Sequence, residues 1–211
     1  MAWWTILGPI TTIPTVLWVG KKIYDSVTED SSSSSNSPDD TIFLTGKTGV
    51  GKDTILHILK NGKFVENPNA TAKLHKETFN ACGKKLLVIN SAGANDNDKE
   101  TFEMRERLTW DTLYTYVFNA YDYFANAETK KQVQNEIAAD KEFCEKRNCK
   151  LKIIGTHKDK CLENGISEAE IQKLIDEIGE EDEFSCQIWD LTRAKTQGEE
   201  VQKELCNFIR W

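Results

Sequence analysis

Short apolar runs alternate with longer segments of helical periodicity from residue 41 onward. The pattern predicts strands at 41–45, 73–80, 86–89, 114–118, 151–154 and 185–189. Residues 73–80 and 86–89 are expected to pair as a hairpin across the turn at Cys82-Gly83. Helical periodicity predicts helices from residue 55 to the Asn61-Gly62 break and over 127–147, 167–178 and 198–210. This alternation predicts an α/β fold with a mostly parallel six-stranded sheet, covered on both faces, that binds ligands at the carboxyl ends of its strands.

The first twenty residues contain no charged side chain and are followed at once by Lys21 and Lys22. A helix of this length would just cross a hydrocarbon core, so residues 1–24 are predicted to be a membrane anchor that contacts the lipid through residues 1–22. The two lysines favour an orientation that leaves the rest of the chain in the cytoplasm. An interfacial helix in the membrane plane, or an arm packed on the protein's own surface, remains an alternative.

Residues 25–40 are rich in serine and acidic side chains and lack hydrophobic periodicity. Such a segment buries too little apolar surface to offset the entropy of ordering it. It is therefore predicted to be a flexible linker between the anchor and a folded domain at residues 41–211.

Composition limits the class of partner and the state of the cysteines. The chain has 211 residues, 39% of them hydrophobic, and a net charge of -7, which fits one domain and argues against nucleic-acid binding. The six cysteines lack C-x-x-C spacing and are predicted to be reduced thiols, with Cys144 and Cys149 as a weak candidate metal pair.

A glycine-rich sequence carries the strongest chemical signal. It follows the first predicted strand, precedes the first predicted helix and matches G-x-x-x-x-G-K: Gly46, Lys47, Thr48, Gly49, Val50, Gly51 and Lys52. Glycines let backbone N–H groups surround a phosphate, and the lysine ammonium neutralises its charge. These residues, with Asp53 and Thr54 after them, are predicted to bind a nucleotide. The pattern expects a Mg²⁺-binding hydroxyl directly after the lysine, where this chain has Asp53.

Three later motifs follow predicted strands in order. They are Asn90-Ser91-Ala92-Gly93, Thr156-His157-Lys158-Asp159 and Thr192-Arg193-Ala194-Lys195. With the glycine-rich loop, they resemble the Ras-like G domain, nearest to the septin, AIG1 and Era-like GTPases, over about residues 41–206. The resemblance implies a three-layer α/β/α P-loop NTPase that uses GTP or GDP and Mg²⁺.

The resemblance also implies roles for individual residues. Lys52, Thr71 and Gly93 would contact the reacting phosphate, with Thr71 as the switch I threonine. Guanine would be bound by Thr156, His157, Asp159, Ala194 and Lys195. GTPases of this group often pair across their nucleotide faces, which implies a nucleotide-dependent homodimer.

The chain departs from the family pattern at its metal site. The family has a hydroxyl after the loop lysine and a carboxylate at switch II, whereas this chain has Asp53 and Asn90. Asp53, Thr71 and Asn90 are the candidate Mg²⁺ ligands, since Mg²⁺ prefers oxygen donors and accepts one or two carboxylates. A site impaired in metal binding remains an equal alternative.

Ala94 stands where Ras-like enzymes have the glutamine that orients water, so slow hydrolysis is expected. Arg105 and Arg107 are candidates for an arginine contact, although a solvated helix face is favoured for both. The function expected is a membrane-tethered guanine-nucleotide switch. The alternatives are a pseudo-GTPase interaction module and, with less support, a nucleotide kinase.

Overall fold

The computed structural model describes residues 37–66, 73–92, 99–179 and 184–210. These belong to one compact unit that begins at Ser37. The predicted anchor at residues 1–24 and most of the predicted linker lie outside the described residues. The linker's last residues are described: Asp40 begins the first strand, and the backbone N–H of Asp39 donates to the carbonyl of Lys85 at 2.7 Å.

Six strands form one sheet. They are β1 (Asp40–Thr45), β2 (His75–Ala81), β3 (Lys84–Asn90), β4 (Thr112–Asn119), β5 (Lys150–Thr156) and β6 (Phe184–Ile188). Their order is β2-β3-β1-β4-β5-β6, and only the β2–β3 pair is antiparallel. The predicted α/β class, the mostly parallel six-stranded sheet and the hairpin are confirmed.

Seven α-helices and one 3₁₀ turn occur in the described residues. The helices are α1 (Lys52–Asn61), α2 (Lys99–Glu106), α3 (Ala120–Ala125), α4 (Ala127–Arg147), α5 (Lys158–Glu163), α6 (Glu168–Gly179) and α7 (Gly198–Ile209), and the 3₁₀ turn is Leu191–Lys195. The structure confirms the predicted helix over 127–147. Asn126 caps its start by accepting from the backbone N–H groups of Glu128 and Thr129, and Asn148 ends it in the left-handed conformation.

The sheet separates two hydrophobic clusters because successive residues of a strand point to opposite faces. On one face Ile42 and Leu44 of β1 pack with α1 and α7, largely through aliphatic side chains. On the other face Phe43 joins Tyr114 and Tyr116 of β4 against α4 and α6. Helices thus cover both faces, an arrangement compatible with a three-layer α/β/α fold.

The cysteine prediction was wrong for one pair. Cys82 and Cys206 form a disulfide with a Cα–Cα distance of 5.2 Å, although 124 positions separate them in the chain. The β2–β3 turn brings Cys82 next to the last turns of α7, and sequence spacing carries no trace of this proximity. The thiols of Cys144, Cys149, Cys161 and Cys186 are free.

No helix in the described part of the chain is both long enough and apolar enough to cross a membrane.

Candidate nucleotide-binding site

The connections of the sheet diverge at the carboxyl ends of β1 and β4. These strands are neighbours, but the chain leaves β1 toward the β2–β3 side of the sheet and leaves β4 toward β5. Ligands of open α/β sheets bind where connections diverge in this way. The loop of residues 46–52, called here the phosphate loop, lies at this point because it follows β1 directly.

Gly46 fixes the start of the phosphate loop against β4. Its φ is +131°, and a Cβ on it would lie 2.0 Å from the carbonyl oxygen of Val117. A side chain here would therefore collide with backbone, and the conformation itself favours glycine. Steric contact with β4 therefore explains why the first position of the motif is glycine.

Lys52 crosses the inside of the phosphate loop. Its Nζ donates to the carbonyl oxygens of Gly46 at 2.6 Å and Lys47 at 2.8 Å. Burial lowers the pKa of this ammonium to about 8, and the adjacent Asp53 carboxylate partly opposes that shift. A buried cation held by two neutral carbonyls is suited to receiving an anionic ligand.

The other loop residues divide into an exposed tip and a buried base. Lys47, Thr48 and Gly49 are exposed, and the Lys47 ammonium donates to the Gln132 side chain on α4. Val50 and Thr54 are buried beneath the loop, so their side chains support it. Gly51 adopts the left-handed conformation immediately before α1, whose N-terminus faces the loop.

Asp53 and Asn90 are brought together, as the predicted metal site requires. The Asn90 Nδ2 group donates to Asp53 Oδ1 at 2.6 Å. Asn90 is fully buried at the end of β3, and within the described part of the chain its Oδ1 atom has no hydrogen-bond partner. The residues that the structure describes contain no cluster of three or more His, Cys, Asp or Glu side chains suited to a metal ion.

Thr156 joins the end of β5 to the phosphate loop. Its hydroxyl lies 2.7 Å from the carbonyl oxygen of Val50 and 3.1 Å from that of Phe118, and it lies 2.8 Å from His157 Nδ1. Burial lowers the pKa of His157, so a neutral ring that donates its Nδ1–H to the threonine fits this arrangement. The Thr156 hydroxyl therefore links the phosphate loop, the end of β4 and the end of β5.

Asp159 lies in the first turn of α5, directly after the Thr156-His157 end of β5. The ammonium of the adjacent Lys158 forms an ion pair with Glu168 at 2.9 Å, which connects α5 to the first turn of α6. Ala194 is buried in the 3₁₀ turn that follows β6. The ends of β5 and β6, here called the base loops (residues 156–159 and 191–195), are neighbours because these strands pair in parallel.

Phe64 lies beside the candidate site residue Lys195, a proximity that the sequence analysis did not predict. The ammonium of Lys195 lies 5.0 Å from the centroid of its ring and forms an ion pair with Glu66 at 2.6 Å. The segment after α1 thereby reaches the second base loop. The available signal was an isolated aromatic residue just beyond the Asn61-Gly62 helix end.

Thr71 and Gly93 lie outside the described residues. The expected solvated helix face is wrong for Arg105, which pairs with the buried Asp140 at 2.7 Å and lies 4.4 Å from the Phe143 ring centroid. Its guanidinium is part of the packing between α2 and α4.

Burial also acts on the thiols of Cys144 and Cys149, the weak candidate metal pair. It raises the pKa of both thiols, which disfavours the thiolate that binds metal.

No protein-family model fits the chain, and no curated protein matches its sequence.

Proposed function

We propose that this protein binds guanine nucleotides through residues 41–211, hydrolyses GTP slowly and acts as a molecular switch. The observation that carries the proposal is the phosphate loop, which follows β1 at the divergence point of the sheet and holds a buried lysine ammonium. The finer fold class, a Ras-like G domain, is part of the same proposal.

The phosphate loop supplies the contacts for the β- and γ-phosphates. Gly49 and Gly51 adopt left-handed conformations, which allow backbone N–H groups of the loop to point toward an anion. The N-terminus of α1 adds the positive end of its dipole. Lys52 would exchange its two carbonyl partners in part for phosphate oxygens. An ion pair with phosphate restores the charged state that burial disfavours.

The base loops supply the contacts for guanine. The Asp159 carboxylate accepts from N1–H and the exocyclic amino group, a pair of donors that adenine lacks. The backbone N–H of Ala194 would face the guanine O6. The neutral ring of His157 offers a flat surface for the base, and the Phe64 ring lies beside Lys195 of the second base loop.

The residues present fit Mg²⁺. Asp53 offers a carboxylate. The buried Asn90 Oδ1 has no donor among the described residues and could accept a hydrogen bond from a metal-bound water. Mg²⁺ is usually held by one or two carboxylates together with substrate phosphates and waters. When bound, the ion would neutralise charge on the β- and γ-phosphates, and Thr71 is the further candidate ligand.

Hydrolysis is expected to be slow because Ala94 has no group that can orient water. The proposal places the nucleotide domain on the cytoplasmic side of a membrane, tethered by residues 1–24. The same feature, Ala94, favours a second candidate, a pseudo-GTPase interaction module without turnover, either stabilised by nucleotide or free of it.

Titration of the full chain with fluorescent GTP, GDP and ATP, followed by a phosphate-release assay, tests the proposal. We expect guanine nucleotides to bind at least tenfold more tightly than ATP, with measurable but slow phosphate release. Guanine-selective binding without release would favour the pseudo-GTPase module. Folded protein that binds no nucleotide would overturn the switch and leave the pseudo-GTPase interaction module as the better account, and a preference for ATP would favour a kinase.

A further inference from the structure

The hydrogen bond between Asn90 and Asp53 has an unusual polarity for the motifs that it connects. The donor is an amide at the end of β3, and the acceptor is a carboxylate in the first turn of α1. In the family that the motifs resemble, the α1 position is a hydroxyl and the position after the third strand is a carboxylate. The two positions still pair here, with donor and acceptor exchanged.

A paired exchange differs from the loss of one group. Replacing only the α1 hydroxyl by aspartate would place two carboxylates side by side, and replacing only the β3 carboxylate would leave no anionic ligand. The observed pair keeps a single negative charge and one hydrogen bond of 2.6 Å. The charge has moved from the strand to the helix, next to Lys52.

We propose that Asp53 and Asn90 form a role-exchanged cation site, in which the Asp53 carboxylate binds Mg²⁺ directly and Asn90 Oδ1 accepts from a metal-bound water. This inference rests on the proposed nucleotide binding. Its distinctive element is direct binding by a carboxylate on α1.

The environment of Asn90 gives the proposal its second, independent support. The side chain is fully buried, and its Oδ1 lacks a partner among the described residues. An unsatisfied buried acceptor is unfavourable, so such atoms normally have a donor within reach. Mg²⁺ retains several of its waters, and one of these would satisfy the amide oxygen.

If Asp53 binds the cation directly, the affinity for nucleotide should depend strongly on the cation. Without Mg²⁺ the Asp53 carboxylate would stand beside the phosphates, and charges of like sign about 4 Å apart repel strongly at the edge of a protein. We therefore expect the full chain to bind fluorescent GDP at least about 100-fold more weakly in EDTA than in Mg²⁺.

Three variants of the full chain test the exchange: Asp53→Ser, Asn90→Asp and the double variant. Each is titrated with fluorescent GDP in Mg²⁺ and in EDTA, and Mn²⁺ binding is followed by electron paramagnetic resonance. We call the ratio of GDP affinity in Mg²⁺ to GDP affinity in EDTA the cation enhancement. Asp53→Ser should reduce this ratio at least tenfold and should abolish most Mn²⁺ binding. Asn90→Asp should weaken GDP binding in EDTA at least tenfold, because two carboxylates then meet.

The double variant provides the decisive result. It restores a hydroxyl on α1 and a carboxylate on β3, so it should recover the cation enhancement of the unchanged protein to within about threefold. Asp176→Asn, which changes an exposed carboxylate on α6, is the matched control and should leave both measurements unchanged. Thermal unfolding of each variant separates misfolding from altered binding.

The outcomes separate this inference from the proposed function. If the unchanged protein binds GDP equally in Mg²⁺ and EDTA, or Asp53→Ser keeps the full enhancement, the role-exchanged site is wrong and nucleotide binding stands. Improved binding by Asn90→Asp would likewise overturn the exchange and indicate an impaired site. If the folded, unchanged protein binds no nucleotide, both proposals fail.

Discussion

The phosphate loop and the base loops are held in place by different interactions. The phosphate loop is braced from within, by Gly46 against the backbone of β4 and by Lys52 on two loop carbonyls. The second base loop is braced at its exposed edge by the Lys195–Glu66 ion pair. Buried backbone contacts leave little room for change, whereas exposed ion pairs contribute little to stability. Loss of the backbone contact at Gly46 should therefore alter fold and binding together, whereas substitutions in the base loops should alter selectivity alone.

The largest effect is expected for Gly46→Ala. The new Cβ meets the Val117 carbonyl and the φ of +131° strains any other residue, so the loop must move. We expect a loss of about 3 kcal/mol in the free energy of unfolding, measured by urea denaturation, together with loss of GDP binding. Gly49→Ala is the control: nothing lies within 4 Å of its Cβ position, and the loss should be about 1 kcal/mol. Equal losses for the two variants would contradict the bracing of the loop by β4.

Lys52→Ala should separate binding from stability within the phosphate loop. Removing the ammonium should weaken GDP binding at least about 100-fold, because a buried charge partner of the phosphates is lost. The free energy of unfolding should change by about 1 kcal/mol or less, since a buried and desolvated cation contributes little to folding. Lys47→Ala, which removes an exposed lysine from the same loop, should change GDP affinity less than about threefold. A similar loss for both lysines would argue against the buried position as the phosphate contact.

Asp159→Ala tests the base loops. The carboxylate is expected to contact only the guanine edge, so GDP affinity should fall about 10- to 100-fold while ADP affinity stays unchanged. Competition titrations with GDP and ADP measure this, and thermal unfolding should move by less than about 2 °C. Glu163→Gln, at the other end of α5, is the control. An equal loss of GDP and ADP affinity would place Asp159 outside base recognition.

The smallest effect is a pH dependence that arises at Lys52. Its pKa of about 8 lies below its usual value of 10.5, so the unfolded chain binds more protons between these values. The contribution of Lys52 to stability should thus rise as the pH increases from about 8 to 10.5, while GDP affinity should fall about fourfold from pH 7 to 8.5 as the ammonium is lost. Lys52→Arg stays charged over this range, and its affinity should be flat. A flat profile for the unchanged protein would show that Lys52 keeps its proton.

The sequence predicted the parts of the fold that local pattern controls. The alternation of strands and helices, the hairpin and the bounds of α4 are confirmed because each follows from periodicity and capping residues. Helix α2 was missed because none of its residues is buried, and α5 was missed because six residues carry too little periodicity. The Cys82–Cys206 pair and the ion pair between Arg105 and Asp140 depend on contacts between distant segments, which no local pattern encodes.

The candidate site was predictable where a motif has a local steric or electrostatic cause, as in the phosphate loop. The contact between Phe64 and Lys195 was not, because it joins segments that meet only in the folded chain. The polarity of the Asn90–Asp53 hydrogen bond also required coordinates, although the sequence had already indicated both residues.

The Cys82–Cys206 disulfide closes a covalent ring that contains β3, β4, β5, β6 and most of α7. Under mechanical tension between residues 37 and 210, only the chain outside the ring can extend while the bond is intact. The 124 positions between the two cysteines would hold back about 400 Å of contour length. An unfolding or translocating enzyme that pulls the protein from either end would meet this closed ring. Either the disulfide must first be reduced, or two segments of the chain must pass through the enzyme together.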